Sequence, residues 1–250
     1  GAGGAHAARA CLRDQIKPLT LCSRFFMVLS MSEMNFELAR SNMIVQQIRP
    51  WDVLDERLLE TLQRIPREEF VPAQYRNLAF TDMSIPLGRG QAMMAPKLEA
   101  RLVQALALTP TDKVLEVGTG SAYVTAVLAA LAKHVYSVDI VPEFKMAAER
   151  KLGARGITNV TLDVGDAARG WDRHGPYDAI LITGSLASLP DNFRSSLALG
   201  GRLVAVVGAS PAMQARWVHR LTDTGFDERA LFETDLAPLV NAQEPAKFIF

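Results

Sequence analysis

Cysteine is scarce in this chain: among 250 residues only Cys11 and Cys22 carry a thiol, and none follows. Beyond Cys22 the fold therefore cannot rest on disulfides or thiolate-bound zinc, and a reducing, cytoplasmic setting fits. The four histidines, His6, His134, His174 and His219, lack any H-E-x-x-H or comparable ligand spacing, so no dedicated metal site is expected. An excess of charge is missing too. Lys plus Arg and Asp plus Glu each number 27, which removes the electrostatic footprint of a duplex-binding protein and makes nucleic acid an unexpected partner. Nor is there a long apolar run. The longest, Tyr123 to Ala132, includes Thr125 and is half of the roughly 20 residues a bilayer-crossing helix needs, so no membrane partner is expected.

What is present is ample apolar material, 49% of the chain, enough for the core of one large α/β domain or two small ones. The first 33 residues stand apart, rich in Gly and Ala, with Arg9, Arg13, Lys17 and Arg24 opposing only Asp14 and Glu33. Arg24 interrupts the one candidate for a secretory apolar segment, Leu19 to Leu29. This stretch reads as a disordered extension ahead of a start at Met31 or Met34, and residues 34–250 read as a single domain.

From Met34 the apolar residues Phe36, Leu38, Met43, Ile44 and Ile48 fall near helical spacing until Pro50 closes the segment. A second helix begins at Asp55, carries Leu58, Leu59, Leu62 and Ile65 on one face, and ends at Pro66. Residues from Phe70 to Pro96 read as a loop-rich, substrate-side region, followed by a helix over Lys97 to Leu108. After Pro110, short β-branched runs alternate with helical patterns, the signature of a parallel sheet built from βα units. Strands are expected at Lys113 to Val117, His134 to Asp139, Val160 to Val164, Tyr177 to Thr183 and Arg202 to Val207. Helices are expected at Ala122 to Leu131, Glu143 to Ala154 and Asp191 to Leu197. Gln214 to Thr222 and Glu228 to Asp235 flank Thr224-Gly225 and predict an antiparallel hairpin on the sheet edge. The fold class is thus α/β: a mostly parallel seven-stranded sheet, helices on both faces, a helical cap over residues 34–110 and a C-terminal hairpin.

The richest ten residues run from Val114 to Tyr123: a buried strand, a turn holding Gly118 and Gly120, then a helix. Glycines there let backbone approach a ligand closely. A dinucleotide fingerprint would need a third glycine where Tyr123 stands, so nicotinamide and flavin cofactors lose ground. The order Glu116-x-Gly118-x-Gly120 resembles the first motif of S-adenosylmethionine-dependent methyltransferases, with their Rossmann-like sheet. Asp139 ends the second strand, where a carboxylate can accept both ribose hydroxyls, and Asp166 follows the third. The resemblance gives Glu116 a role at the methionine end of the cofactor and Asp166 one beside the adenine amino group. It also implies contacts from Thr119, Ser121, Tyr123, Ile140 and Ala167. Asp178 reads as structural.

Other segments narrow the resemblance. Gln47-Ile-Arg49, Ile65-Pro-Arg-Glu-Glu-Phe-Val-Pro72, Ala79-Phe-Thr-Asp82, Ile85-Pro-Leu-Gly-Arg-Gly-Gln91, Val138 to Glu143, Pro176 to Ile180 and Gly200 to Val204 occur in order. Together they resemble protein-L-isoaspartate O-methyltransferases, from Asn35 to about Val240. The resemblance implies a protein-repair enzyme that methylates the isoaspartyl carboxylate of damaged protein or peptide, with Gln91 orienting the acceptor. The chain departs from the pattern where the family carries a serine taken to contact that carboxylate: Met94 stands there, and Ala92 replaces a threonine. The departure predicts weak or absent isoaspartyl turnover with cofactor affinity intact.

Three further features stay open at this level. Met93 and Met94 fit either apolar packing or a pocket reshaped for a small, less polar acceptor. Lys97 fits either a partner for the acceptor carboxylate or a solvated lysine, and Thr183-Gly-Ser185 could return a hydroxyl to the site. Ala122 replaces a usual glycine and is expected in an ordinary backbone conformation. An occluded cleft would instead indicate a non-catalytic cofactor-binding protein.

Overall fold

Asn35 starts the first helix, its side-chain oxygen accepting the Leu38 amide at 3.0 Å. The computed structural model describes residues 34–243, so the expectations for residues 1–33 lie outside the described residues. Helix α1 (Phe36–Met43) does not run evenly to Pro50. It passes into a π-helical turn over Ile44–Ile48, closed by the Arg49 amide on the Ile44 carbonyl, and then into a 3₁₀ turn over Arg49–Trp51. Pro50 supplies the reason: it has no N–H and its ring crowds the carbonyl four residues back, so the ladder slips by one. Asp55 caps α2 (Glu56–Arg64), accepting the amides of Arg57 and Leu58, and the expected face of Leu58, Leu59 and Leu62 is buried. Ile65 turns extended ahead of Pro66.

The segment read as loop contains a small hairpin, β1 (Ile85–Gly88) paired antiparallel to β2 (Gln91–Met93). Gly88, Arg89 and Gly90 all carry positive φ at its tip. Helix α3 (Pro96–Ala105) follows, shorter than expected because Ala107 adopts a left-handed conformation.

The main sheet comprises β3 (Lys113–Val117), β4 (His134–Asp139), β5 (Val160–Val164), β6 (Tyr177–Leu186), β7 (Leu197–Ala209), β8 (Ala212–Arg220) and β9 (Phe226–Thr234), in the order β5-β4-β3-β6-β7-β8-β9. The five strands from β5 to β7 pair in parallel; β8 and β9 are antiparallel. Helices α4 (Tyr123–Leu131), α5 (Pro142–Ala154) and α6 (Asp191–Ser195) complete the unit. The first three strands match expectation at both ends, whereas β6 and β7 run longer and α6 stops short because Leu197 already belongs to β7. The chain builds outward from β3 to β5 and then returns to the other side of β3 with β6. That reversal opens a crevice at the carboxyl ends of β3 and β6, where α/β sheets bind ligands. Among the described residues no helix is long and apolar enough to cross a membrane.

Ala122 corrects one expectation. It sits at φ 67° and ψ 10°, left-handed rather than ordinary, as the last residue before α4. The usual glycine thus answers a real backbone demand that alanine meets with strain.

Candidate active site

Gly118 closes β3 at φ +97°, and a Cβ there would stand 2.2 Å from the Thr183 hydroxyl oxygen on β6. That hydroxyl lies 2.8 Å from the Val117 carbonyl and 2.9 Å from the Gly118 carbonyl, stitching the two strand ends together. Gly120 donates its amide to Asp139 Oδ2 at 2.8 Å, and the Val141 amide reaches Oδ1 at 2.9 Å. Burial lifts the Asp139 carboxyl above the usual range against those amide donors. Asp139, Ile140, Asp166 and Ala167 line one open cleft with Gly118 and Gly120. Asp166 is exposed, accepting the Ala168 amide at 3.0 Å and the Asn241 side-chain amide at 2.9 Å. Gln91 lines this cleft as well.

Of the other expected contacts, Thr119 and Ser121 line a smaller cavity beside the cleft, whereas Glu116 and Tyr123 line neither. Glu116 is fully buried and accepts the hydroxyls of Thr125 at 2.5 Å and Ser137 at 2.6 Å on Oε2, while Oε1 has no partner. Burial pushes its carboxyl up to about 8. Thr119 bonds Ser137 at 2.6 Å, and Ser121 accepts the Tyr123 amide at 3.2 Å. Tyr123, expected at the cofactor, has its side chain away from both cavities. Its ring is buried edge-on to Phe70 at 5.7 Å under the Arg67 guanidinium, because α4 is packed on nearly every side and turns its first residue inward.

This second, smaller cavity adjoins the first, sharing Leu87, Ala92, Gly118, Gly120 and Thr183 with it. Met93 and Met94 line it, and so does Glu99. Lys97 does not: its ammonium lies 2.5 Å from Asp82 and 4.0 Å from the Trp51 ring centre. Ser185 does not return a hydroxyl either, since it donates to the Leu236 carbonyl at 2.7 Å. Asp178 is structural, accepting the Lys113 amide at 2.8 Å.

Two contributors escaped the sequence reading. Residues Leu236 to Val240 form one wall of the cleft, held by Ser185, which accepts the Leu239 amide at 3.0 Å and donates its own to Ala237 at 2.9 Å. Gly184 permits that approach, since a Cβ there would come within 2.7 Å of the Leu239 side chain. The segment Thr183-Gly-Ser185, singled out for its hydroxyl, was the available signal. The other is Glu99, which gave none.

A doubly wound sheet, a glycine turn at its switch point and carboxylates after successive strands define an S-adenosylmethionine-dependent methyltransferase. The profile of the protein-L-isoaspartate(D-aspartate) O-methyltransferase (PCMT) family matches residues 39–244. The chain belongs to that family. It is 38% identical over 197 residues to the protein-L-isoaspartate O-methyltransferase of Gloeobacter violaceus, covering 79% of this chain and 96% of that one. Identity to the Picosynechococcus protein of the same name is 41% over 169 residues, 68% of this chain and 76% of the relative. Two solved structures share the fold. A protein-L-isoaspartate O-methyltransferase superposes at TM-score 0.68 with 24% identity over 80% of this chain, which spans 65% of that one. A Plasmodium falciparum β-aspartate methyltransferase, solved with S-adenosyl-L-homocysteine, superposes at TM-score 0.67 with 17% identity over 83% of this chain and 99% of that one.

Proposed function

We propose that this protein methylates the side-chain carboxylate of isoaspartyl residues in damaged proteins or peptides, using S-adenosylmethionine. The observation that carries the reading is the junction of the two cavities, which places a space for an acceptor directly against the glycine turn.

The cleft suits the cofactor. Gly118 and Gly120 line it without side chains, and the buried, unpartnered Glu116 Oε1 is free to pair with a polar group at the methionine end. In this reading Asp139 takes the ribose hydroxyls and Asp166, Ala167 and Ile140 take the adenine, supported by all four lining the cleft. S-adenosylmethionine supplies an electrophilic methyl group on a sulfonium. The acceptor carboxylate, with a pKa of roughly 4, is already ionised near neutral pH, so the protein needs no general base. Its task is alignment and exclusion of water, with Gln91 and nearby amides orienting the acceptor. Met94 provides no hydroxyl for this, so turnover is expected to be low. Transfer of radiolabelled methyl to an isoaspartyl peptide, absent for the normal aspartyl control, tests the assignment.

The methionine lining of the smaller cavity favours a second reading, a diverged member that methylates a small, less polar acceptor. Label entering small molecules of a whole-cell extract, with none in the isoaspartyl peptide, would establish it. The open cleft counts against a non-catalytic role.

A further inference from the structure

Glu99 lies in the first turn of α3, 3% exposed, and is the charged side chain among the residues lining the smaller cavity. Its Oε2 accepts from Arg67 Nη1, and among the described residues no hydrogen bond reaches Oε1. Arg67 itself is fully buried and is not among the residues lining the cavity; its Nε donates to the Ala79 carbonyl at 2.8 Å and its Nη2 to the Met94 carbonyl at 2.7 Å.

A carboxylate acceptor entering this space brings a second negative charge beside Glu99. With Glu99 ionised, two carboxylates would face one guanidinium in a poorly hydrated site, and like charges so placed cannot both stay ionised. One proton restores neutrality: the Arg67 cation then balances the acceptor anion. We propose that Glu99 in its protonated form donates a hydrogen bond to the acceptor carboxylate, replacing the hydroxyl lost at Met94, so that isoaspartyl substrate binds together with one proton. This rests on the isoaspartyl reading of the site.

Burial pushes the Glu99 carboxyl up to about 7 against the lowering effect of Arg67, far above an exposed acceptor near 4, so the shared proton resides on Glu99. The other groups facing it act in the same sense or cancel. Glu116 on β3 repels its charge, Tyr123 on α4 stays a neutral phenol, and the buried Arg40–Glu68 pair beyond Arg67 is internally balanced. The effect belongs to acceptor affinity, with KM rising about tenfold per pH unit above 7 and kcat little changed.

The test is calorimetric titration of an isoaspartyl peptide into the full chain saturated with S-adenosylhomocysteine, in two buffers of different ionisation heat. Uptake of about one proton is expected near pH 8.5 and little near pH 6, where Glu99 already holds its proton. Glu99→Gln should bind the peptide with no uptake at either pH, its amide serving as a donor that does not titrate. Its affinity for S-adenosylhomocysteine reports that it is folded, and the wild-type counts at two pH values stand without it. Peptide binding without proton uptake near pH 8.5, or equal uptake in Glu99→Gln, overturns the role of Glu99 alone. Failure of the peptide to bind at either pH, with S-adenosylhomocysteine binding intact, overturns the isoaspartyl reading and this inference with it.

Discussion

At Gly118 a single added methyl meets two obstacles: a positive φ and the Thr183 hydroxyl. Gly118→Ala forces Thr183 to abandon its backbone carbonyls, adding a lost hydrogen bond of about 1 kcal/mol to backbone strain of about 1–3 kcal/mol. Gly88 has a similar φ but no neighbour within 4 Å, so Gly88→Ala should cost the strain alone. Denaturant unfolding of the two variants is expected to show Gly118→Ala as the weaker by at least about 1 kcal/mol. Asp139 invites a binding experiment instead. Hydrogen bonds to a charged group contribute about 1.5–3 kcal/mol, so Asp139→Ala should weaken S-adenosylhomocysteine at least about tenfold by calorimetry. Unchanged affinity would reject its ribose role.

Among the elements, the last described segment makes a wall of the cleft, and Ser185 is its fastening. Ser185→Ala removes the side-chain bond to Leu236 but leaves both backbone bonds, so the fold should lose only about 1 kcal/mol. Cofactor affinity should fall with it, while a surface change such as Ser195→Ala should leave both alone; paired melting and calorimetry would show the difference. This wall also marks the boundary of what the sequence revealed. Strands β3, β4 and β5 were legible because short runs seeded with valine alternate with helical patterns in a βα series, and Asp55 and Pro66 announce the limits of α2 chemically. The hairpin β1–β2 was not, since its strands are short and carry Pro86, Gly88 and Gly90, residues that locally signal loop. In the site, Gly118, Gly120 and Asp139 were legible from spacing. The inward packing of Tyr123 was not legible, because a motif position says which residue is near a turn but not which way its side chain packs. Glu99 was invisible because its partner Arg67 is distant in sequence and only the fold brings them together.

The whole molecule keeps acid protons in its interior. Glu99 and Glu116 are raised to about 7 and about 8, so the native state binds more protons than the unfolded chain above the unfolded value of about 4.3. Their contribution is complete below that value and is lost as pH rises through 7 to 8. His134, lowered by burial, acts oppositely below about pH 6.5, and Lys151, lowered by burial to about 8, acts oppositely as pH nears and passes 8. The cofactor-free protein should therefore melt at progressively lower temperature from about pH 6.5 to 8. Glu116→Gln is expected to flatten that decline; an unchanged slope would place the protons elsewhere.

The wall built from Leu236 to Val240 also has a consequence for synthesis. The glycine turn and Asp139 leave the ribosome long before the segment that completes the cleft beside them. A nascent chain therefore holds the residues proposed for the cofactor without the wall beside them, and a product terminated just after β9 is expected to fold its sheet yet bind cofactor poorly. Methyl-donor occupancy thus reports that translation reached the end of the cleft wall, a property that limited proteolysis of stalled and released chains with and without S-adenosylhomocysteine would reveal.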